Sequence, residues 1–354
     1  MARAAARRSS GGGLFSFLFW GAVLAGAAAI FAFFYFSSAI GRAGPNPDAR
    51  TFVVERGASG AEIAAALEAE GLISDALLFR IANRLRGGSS LQAGEYLIPA
   101  RASVGQIVEL MTSGEALQHA ITFPEGITIA AAMKILEESE VLTGDLPATP
   151  PEGSILPDTY HVQRGMTRAA LLQQMMEAHD AAVEEIWARR QPNLPLRTPD
   201  DLVNLASIVE RETAIAAERP MVAAVFINRL RRPMRLETDP TIIYGVCLRH
   251  PDRCRDGRLV DARGNRRTIR QSEIEMNTGY NTYRIDGLPP TPIANPGRAA
   301  LEATANPAQS DAIFFVADGT GGHVFASTLA EHNANVARWR QIEAQRLAEE
   351  RANR

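Results

Sequence analysis

Residues 14–36, LFSFLFWGAVLAGAAAIFAFFYF, are an unbroken apolar run without one charged side chain. In hydrocarbon there is no water to bond the backbone, so a run of this length can cross a bilayer only as a helix. Arg3, Arg7 and Arg8 precede it, and a more balanced Arg42, Asp48 and Arg50 follow. The positive-inside rule therefore keeps residues 1–13 in the cytoplasm and sends the chain beyond residue 40 across the membrane. A cleaved signal peptide is the competing reading. Its apolar core would be shorter, about 7–15 residues, and followed by a small-residue cleavage site.

The 354 residues leave room for two domains beyond this span. A Gly- and Pro-bearing linker at 37–50 leads to a small α+β unit at 51–118. Its expected elements are a strand at 51–54, helices at 60–70 and 74–85, a strand at 96–98, and a helix capped by Ser103 running to 111. A connecting segment at 119–160 holds a strand entering a turn at 120–127 and a helix at 128–139, then Pro147, Pro150, Pro151 and Pro157. The larger α+β domain is expected at 161–345, with a charged tail at 346–354. It begins with a helix at 167–189, in which Met175 and Met176 fall at core spacing. Pro220 opens a later helix that Pro233 ends. The remainder reads as turn-rich, including TDPTIIYGV and GYNTYRIDGLPPTPIANPG, with a strand at 312–316, a tight turn at 319–322 into 323–325, and a helix at 329–351.

DDLVNLASIVERETAIAA, at 200–217, carries the chemistry. Thr198-Pro199-Asp200-Asp201 is a helix start: a hydroxyl cap, Pro in the first turn, and acids near the positive end of the helix dipole. At about 100° per residue, Leu202, Leu205, Ile208, Val209 and Ile215 gather on one face. Asn204, Arg211 and Glu218 fall opposite. Glu212 lands roughly 20° from the centre of the apolar face, with Glu210 near its edge. A carboxyl group there loses hydration, its pKa rises, and it can hold a proton near neutrality, as a general acid must. The bland alternative is a structural ion pair with Arg229, Arg231, Arg232 or Arg235.

A net charge of −3 argues against a nucleic-acid binder. No HExxH, P-loop or GxGxxG pattern occurs and the six His are scattered, so neither a metal nor a cofactor is expected. Cys247 and Cys254 stand close together in GVCLRHPDRCRDG. On the oxidising side of a membrane they read as a local disulfide, against the alternative of two free thiols.

The segments ERET (210–213), LETDPTIIYG (236–245), YNTY (280–283), GLPPTPIANPG (287–297) and DGTGGHVF (318–325) follow one another in the same half of the chain. In that order they resemble the MltG/YceG-like family of membrane-anchored endolytic murein transglycosylases, from the N-terminal anchor to about residue 340. The resemblance implies a LysM-like glycan-binding unit around LQAGEYLIPARAS (91–103). It also implies cleavage of the β-1,4 bond between N-acetylmuramic acid and N-acetylglucosamine, leaving 1,6-anhydro ends. The family's E-x-E-T pattern falls on Glu212 and Thr213 as acid and neighbour, with Glu210 second. Tyr280, Asn281, Thr282, Tyr283, Asn228 and His323 are the expected sugar contacts. Glu237 and Asp239 would be the second carboxylate if the enzyme were instead a hydrolase. The expected partners are peptidoglycan strands and peptidoglycan synthases (penicillin-binding proteins), at the periplasmic face of a bacterial inner membrane. A non-catalytic anchored scaffold that binds glycan is the third reading.

Overall fold

The computed structural model describes residues 12–88 and 90–352. The chain is mixed α and β after an N-terminal apolar helix. Arg3, Arg7, Arg8 and most of the expected cytoplasmic segment lie outside the described residues. Helix α1 (Gly12–Ile40) leaves most side chains of its stretch Ser16–Ile40 exposed, and that stretch has a mean hydropathy of 2.2. At 1.5 Å per residue those 25 residues are about 37 Å long, enough to cross a hydrocarbon core.

Two compact units follow from the pattern of contacts, residues 1–119 with 163–165, and residues 120–162 with 166–354. In the first, β1 (Arg50–Val54) pairs antiparallel with β2 (Gly94–Ile98) in the register Phe52 to Tyr96. Helices α2 (Gly60–Ala69), α3 (Ala76–Leu85) and α4 (Val104–Ser113) cover one face of this ribbon. Phe52, Leu67, Phe79, Tyr96, Ile98, Ile107 and Met111 fill the core between them. Ser59 and Ser103 each close a capping box with Glu62 and Gln106, so both helix starts are fixed by chemistry three residues long.

Strand β3 (Gln118–Thr122) pairs with β4 (Thr159–Gln163), and in the second unit residues 120–122 and 159–162 are backed by α5 (Ile129–Glu138) and the long α6 (Arg168–Ala188). Arg168 donates to the carbonyls of Leu136, Glu137 and Ser139, satisfying the end of α5. Next come α7 (Pro199–Glu212), α8 (Arg219–Arg231) and α9 (Asp239–Arg249), then the short ribbon β5 (Cys254–Arg255) and β6 (Arg258–Leu259). The single turn α10 (Gln271–Ile274), α11 (Arg298–Ala305), the hairpin β7 (Phe314–Ala317) with β8 (His323–Ala326), and α12 (Leu329–Ala352) complete it. Helix α7 is the axis of the core: Leu202, Leu205, Ile208 and Val209 pack among Val222, Phe226, Leu301 and Ala305 from α8 and α11.

Several expectations need correction. TDPTIIYGV is a helix, α9, because Pro240 occupies the first turn, where its missing N–H costs nothing. Gly245 within it leaves room for the Thr278 side chain, which sits where a Cβ would go. Residues 298–305 also form a helix that the flanking Pro and Gly concealed. Helix α7 stops at Glu212, five residues early, because Thr213 turns extended and its hydroxyl accepts from the Ile215 amide. Ile215 is consequently exposed. Asn204, expected on the solvated face, is buried and donates to the Pro289 carbonyl at 2.6 Å.

Candidate active site

The Thr198 capping box with Asp201 fixes the start of α7, and fourteen residues later the helix delivers Glu212 at its last position. A helix C-terminus is the negative end of the macrodipole and already disfavours a carboxylate. Glu212 is half-buried and lines a cleft of about 550 Å³ together with Arg211, Asp239, Pro240, Ile243, Arg258 and Arg266. It also lines the adjoining recess of about 480 Å³ with Glu125, Glu210 and Arg219. Burial raises its pKa, and the neighbouring Asp239 charge adds to this. The Thr238 hydroxyl, His323 and Arg229 act in the opposite direction without reversing it.

Thr238 was missed by the sequence reading. It is the N-cap of α9, yet its hydroxyl caps nothing there and donates instead to Glu212 Oε2 at 2.6 Å. The strap that turns it toward α7 is held by a backbone clamp. The Glu237 N–H donates to the Thr282 carbonyl, and the Thr238 N–H donates to the Thr282 hydroxyl. Glu237 itself has φ of 49°, a left-handed conformation that only such over-determination makes tolerable for a side chain of its size.

A second network braces the end of α7. The Thr213 hydroxyl donates to Glu218, and the same carboxylate takes the backbone N–H of His323 and pairs with its ring Nδ1 at 2.8 Å. Burial pushes Glu218 up, but the bonds from His323 and Thr213 outweigh it and hold the carboxyl below its usual range. Glu218 stays ionised while Glu212 is driven toward its acid form.

Glu210, the second candidate, is a structural ion pair. Its side chain is 4% exposed, Arg219 meets it at 2.8 Å, and the Gly297 amide donates to its other oxygen at 3.0 Å. Burial raises this carboxyl too, against the pull of Arg219. With both oxygens committed, we assign it no proton transfer. None of the four arginines weighed as partners of Glu212 forms an ion pair with Glu212 among the described residues. Arg229 is spent on the Ile313, Arg235 and Leu236 carbonyls and on Glu237.

The expected sugar contacts divide. Tyr280 is half-buried, its hydroxyl 2.7 Å from that of Thr291 and its ring edge-on to Tyr244. The Tyr283 hydroxyl donates to Asp239 at 2.9 Å, and burial with that carboxylate raises its pKa. His323 stands near enough to Glu212 to act on its charge. Asn281, Thr282 and Asn228 are engaged within the protein. Asn281 is fully buried, its amide donating to the Ile274 and Met276 carbonyls and its oxygen accepting from Tyr283 N. Thr282 is the clamp described above. Asn228 ties α8 to the Ser310 and Ala312 carbonyls and borders a different recess. None of the three has a polar atom free for a sugar. Cys247 and Cys254 are joined by a disulfide beside Ile242 and Val246. Among the described residues no cluster of metal-ligating side chains forms.

A separate groove of about 460 Å³ carries Glu152, Tyr244, Lys134 and Ile293. Glu152 accepts from the Ile129 N–H at 2.7 Å, from Asn295 at 3.0 Å and from the Tyr244 hydroxyl at 3.3 Å. Burial pushes it up to about 7 despite these bonds. Asn295, from the segment IANPG, also bonds Ile127 and Ile155, which makes that motif a structural knot.

The family model described as the YceG-like family matches residues 52–338. An endolytic murein transglycosylase of Bacillus subtilis (strain 168) is 29% identical over 321 residues, covering 81% of this chain and 84% of that protein. An endolytic murein transglycosylase of Streptococcus pneumoniae (strain D39) is 26% identical over 334 residues, covering 81% of this chain and 58% of the longer pneumococcal protein. A crystal structure of a yceG-like protein from Listeria monocytogenes is 26% identical, with a TM-score of 0.46 over 82% of this chain and 99% of that one. With a match that runs through both compact units and includes every residue of the Glu212 cleft, the chain belongs to the YceG-like family.

Proposed function

We propose that this chain is an endolytic murein transglycosylase, a lyase that cuts the β-1,4 bond between N-acetylmuramic acid and N-acetylglucosamine within glycan strands. What carries the reading is one carboxyl group, Glu212, driven toward its protonated form on the wall of an open cleft. The relatives named endolytic murein transglycosylases support it.

One group performs both proton transfers. Protonated Glu212 gives its proton to the glycosidic oxygen as the C1–O bond breaks and positive charge grows at C1. The carboxylate so formed takes the proton of the muramyl C6 hydroxyl, whose oxygen bonds to C1. The product is a 1,6-anhydro end, Glu212 is protonated again, and no water is consumed. Thr238 orients the carboxyl and stabilises its transient anion, while Asp239 opposes ionisation between turnovers. Glu212→Gln should lower turnover at least about a thousandfold. Mass spectrometry of digested murein tests this, and undiminished anhydro products from the variant would reject the assignment.

The presence of Asp239 in the same cleft favours one second reading, a muramidase in which it activates water. Reducing muramic ends carrying oxygen from labelled water would select that reaction. We further propose that the first unit is LysM-like and binds glycan. The apolar helix would be a retained anchor with its N-terminus in the cytoplasm, placing both units on the periplasmic face of the inner membrane near peptidoglycan synthases. Thiol labelling of single cysteines placed on either side of α1 in whole cells tests the orientation.

A further inference from the structure

We infer that Arg258 and Arg266 form a carboxylate-reading wall beside Glu212, selecting glycan that carries an anionic substituent on the muramyl unit. This rests on the murein reading and deepens it. Both side chains border the two recesses that meet at Glu212. They stand on β6 and on the loop that returns to it, where Val260 bridges to Arg266.

The charges around the cleft are unevenly paired. Arg267 is held by a two-pronged pair with Glu273 at 2.7 and 2.8 Å, and Arg219 is shared by two carboxylates, Glu125 and Glu210. Arg211 donates only to the uncharged carbonyls of Gly126 and Gly257. Neither Arg258 nor Arg266 has a side-chain hydrogen bond or an ion pair among the described residues, and both are exposed. Their charges bear on Arg211, whose own pKa is lowered first by burial and then by these two neighbours, with Glu210 and Glu152 pulling the other way. The acids lining the cleft do not pair with these two arginines: Glu212 is driven toward its neutral form, and Asp239, still charged, accepts from Tyr283. Arg258 and Arg266, with Arg211 between the recesses, leave guanidinium charge open to an incoming anion. A planar guanidinium with free N–H groups recognises a carboxylate by two parallel hydrogen bonds.

A murein strand offers that carboxylate in two places. Peptide-bearing glycan carries it on the stem peptide, whereas glycan stripped of peptide carries it on the lactyl ether. The test is steady-state cleavage of three substrates by full-length enzyme in detergent: peptide-bearing strands, the same strands with stem carboxylates amidated, and peptide-free strands. Arg258→Ala/Arg266→Ala should raise KM about tenfold or more on the substrate being read, with a much smaller change in kcat. Lys at both positions should recover part of the loss. Arg263→Ala, which removes the same charge from the same loop away from the cleft, should leave KM in place.

A KM rise confined to peptide-bearing strands, and reproduced in the wild type by amidation, places the carboxylate on the stem peptide. A rise confined to peptide-free strands places it on the lactyl group. Unchanged KM on both carboxylate-bearing substrates, or an equal rise with Arg263→Ala, overturns the inference while leaving the murein reading intact. Failure of the wild type to cleave any of the three overturns the murein reading itself.

Discussion

At Glu212 three effects of different origin point the same way: loss of water, the negative end of α7 and the charge of Asp239 all favour the protonated carboxyl. The Thr238 hydroxyl is the nearest opposing influence. Replacing it by Val should raise the Glu212 pKa further, moving the alkaline limb of kcat/KM to higher pH while slowing turnover about ten- to a hundredfold through lost positioning. A pH–rate profile checks both. The same shift has a consequence for stability. A carboxyl whose folded pKa lies above its unfolded value stabilises below the unfolded pKa, and that stability is lost as pH rises through the folded value. Glu212→Gln should therefore leave the melting temperature unchanged at pH 4 and raise it under mildly alkaline conditions, as thermal melts across pH would register. Reading single residues from the sequence found Glu212, because a helical face is periodic and an acid on it stands out. It did not find Thr238, whose role depends on a strap folding back over 26 residues.

Among the elements, caps were legible and tertiary commitments were not. Ser103 and Thr198 announce their helices through residues three positions away. Asn281, Thr282 and Asn228 look like sugar contacts in a polar, aromatic stretch, yet each is spent inside the protein. Helix α9 escaped notice because its Pro and Gly both have local turn meanings that its packing overrides. Removing the Thr198 hydroxyl by Ala substitution should cost about 1 kcal/mol by chemical denaturation. Glu152 ties the start of α5 to Asn295 and Tyr244. With its pKa raised to about 7 from 4.5, that knot should weaken as pH climbs through this window, by a few kcal/mol at most. Glu152→Gln keeps the accepting oxygen for Ile129 and Asn295, so it should match the wild type at pH 4 and exceed it at pH 8.

Taken as a whole, the chain joins an exposed apolar helix to two units with separate cores. The α+β class and the family follow from ordered motifs, because loops that hold a site keep their sequence along with their shape. The return of residues 163–165 to the first unit leaves no local mark in composition, so only the contact pattern reveals it. A variant beginning at Asn46 should leave the membrane fraction yet retain cleavage of soluble strands, since the Glu212 cleft is built wholly within the second unit. Fractionation followed by product assay separates anchoring from chemistry. The most direct test of the central claim is the product spectrum of wild-type and Glu212→Gln enzyme on purified glycan strands in ¹⁸O-labelled water. The account predicts 1,6-anhydro ends free of label from the wild type and at least about a thousandfold fewer from the variant. Labelled reducing ends from the wild type, or undiminished anhydro ends from the variant, would contradict it.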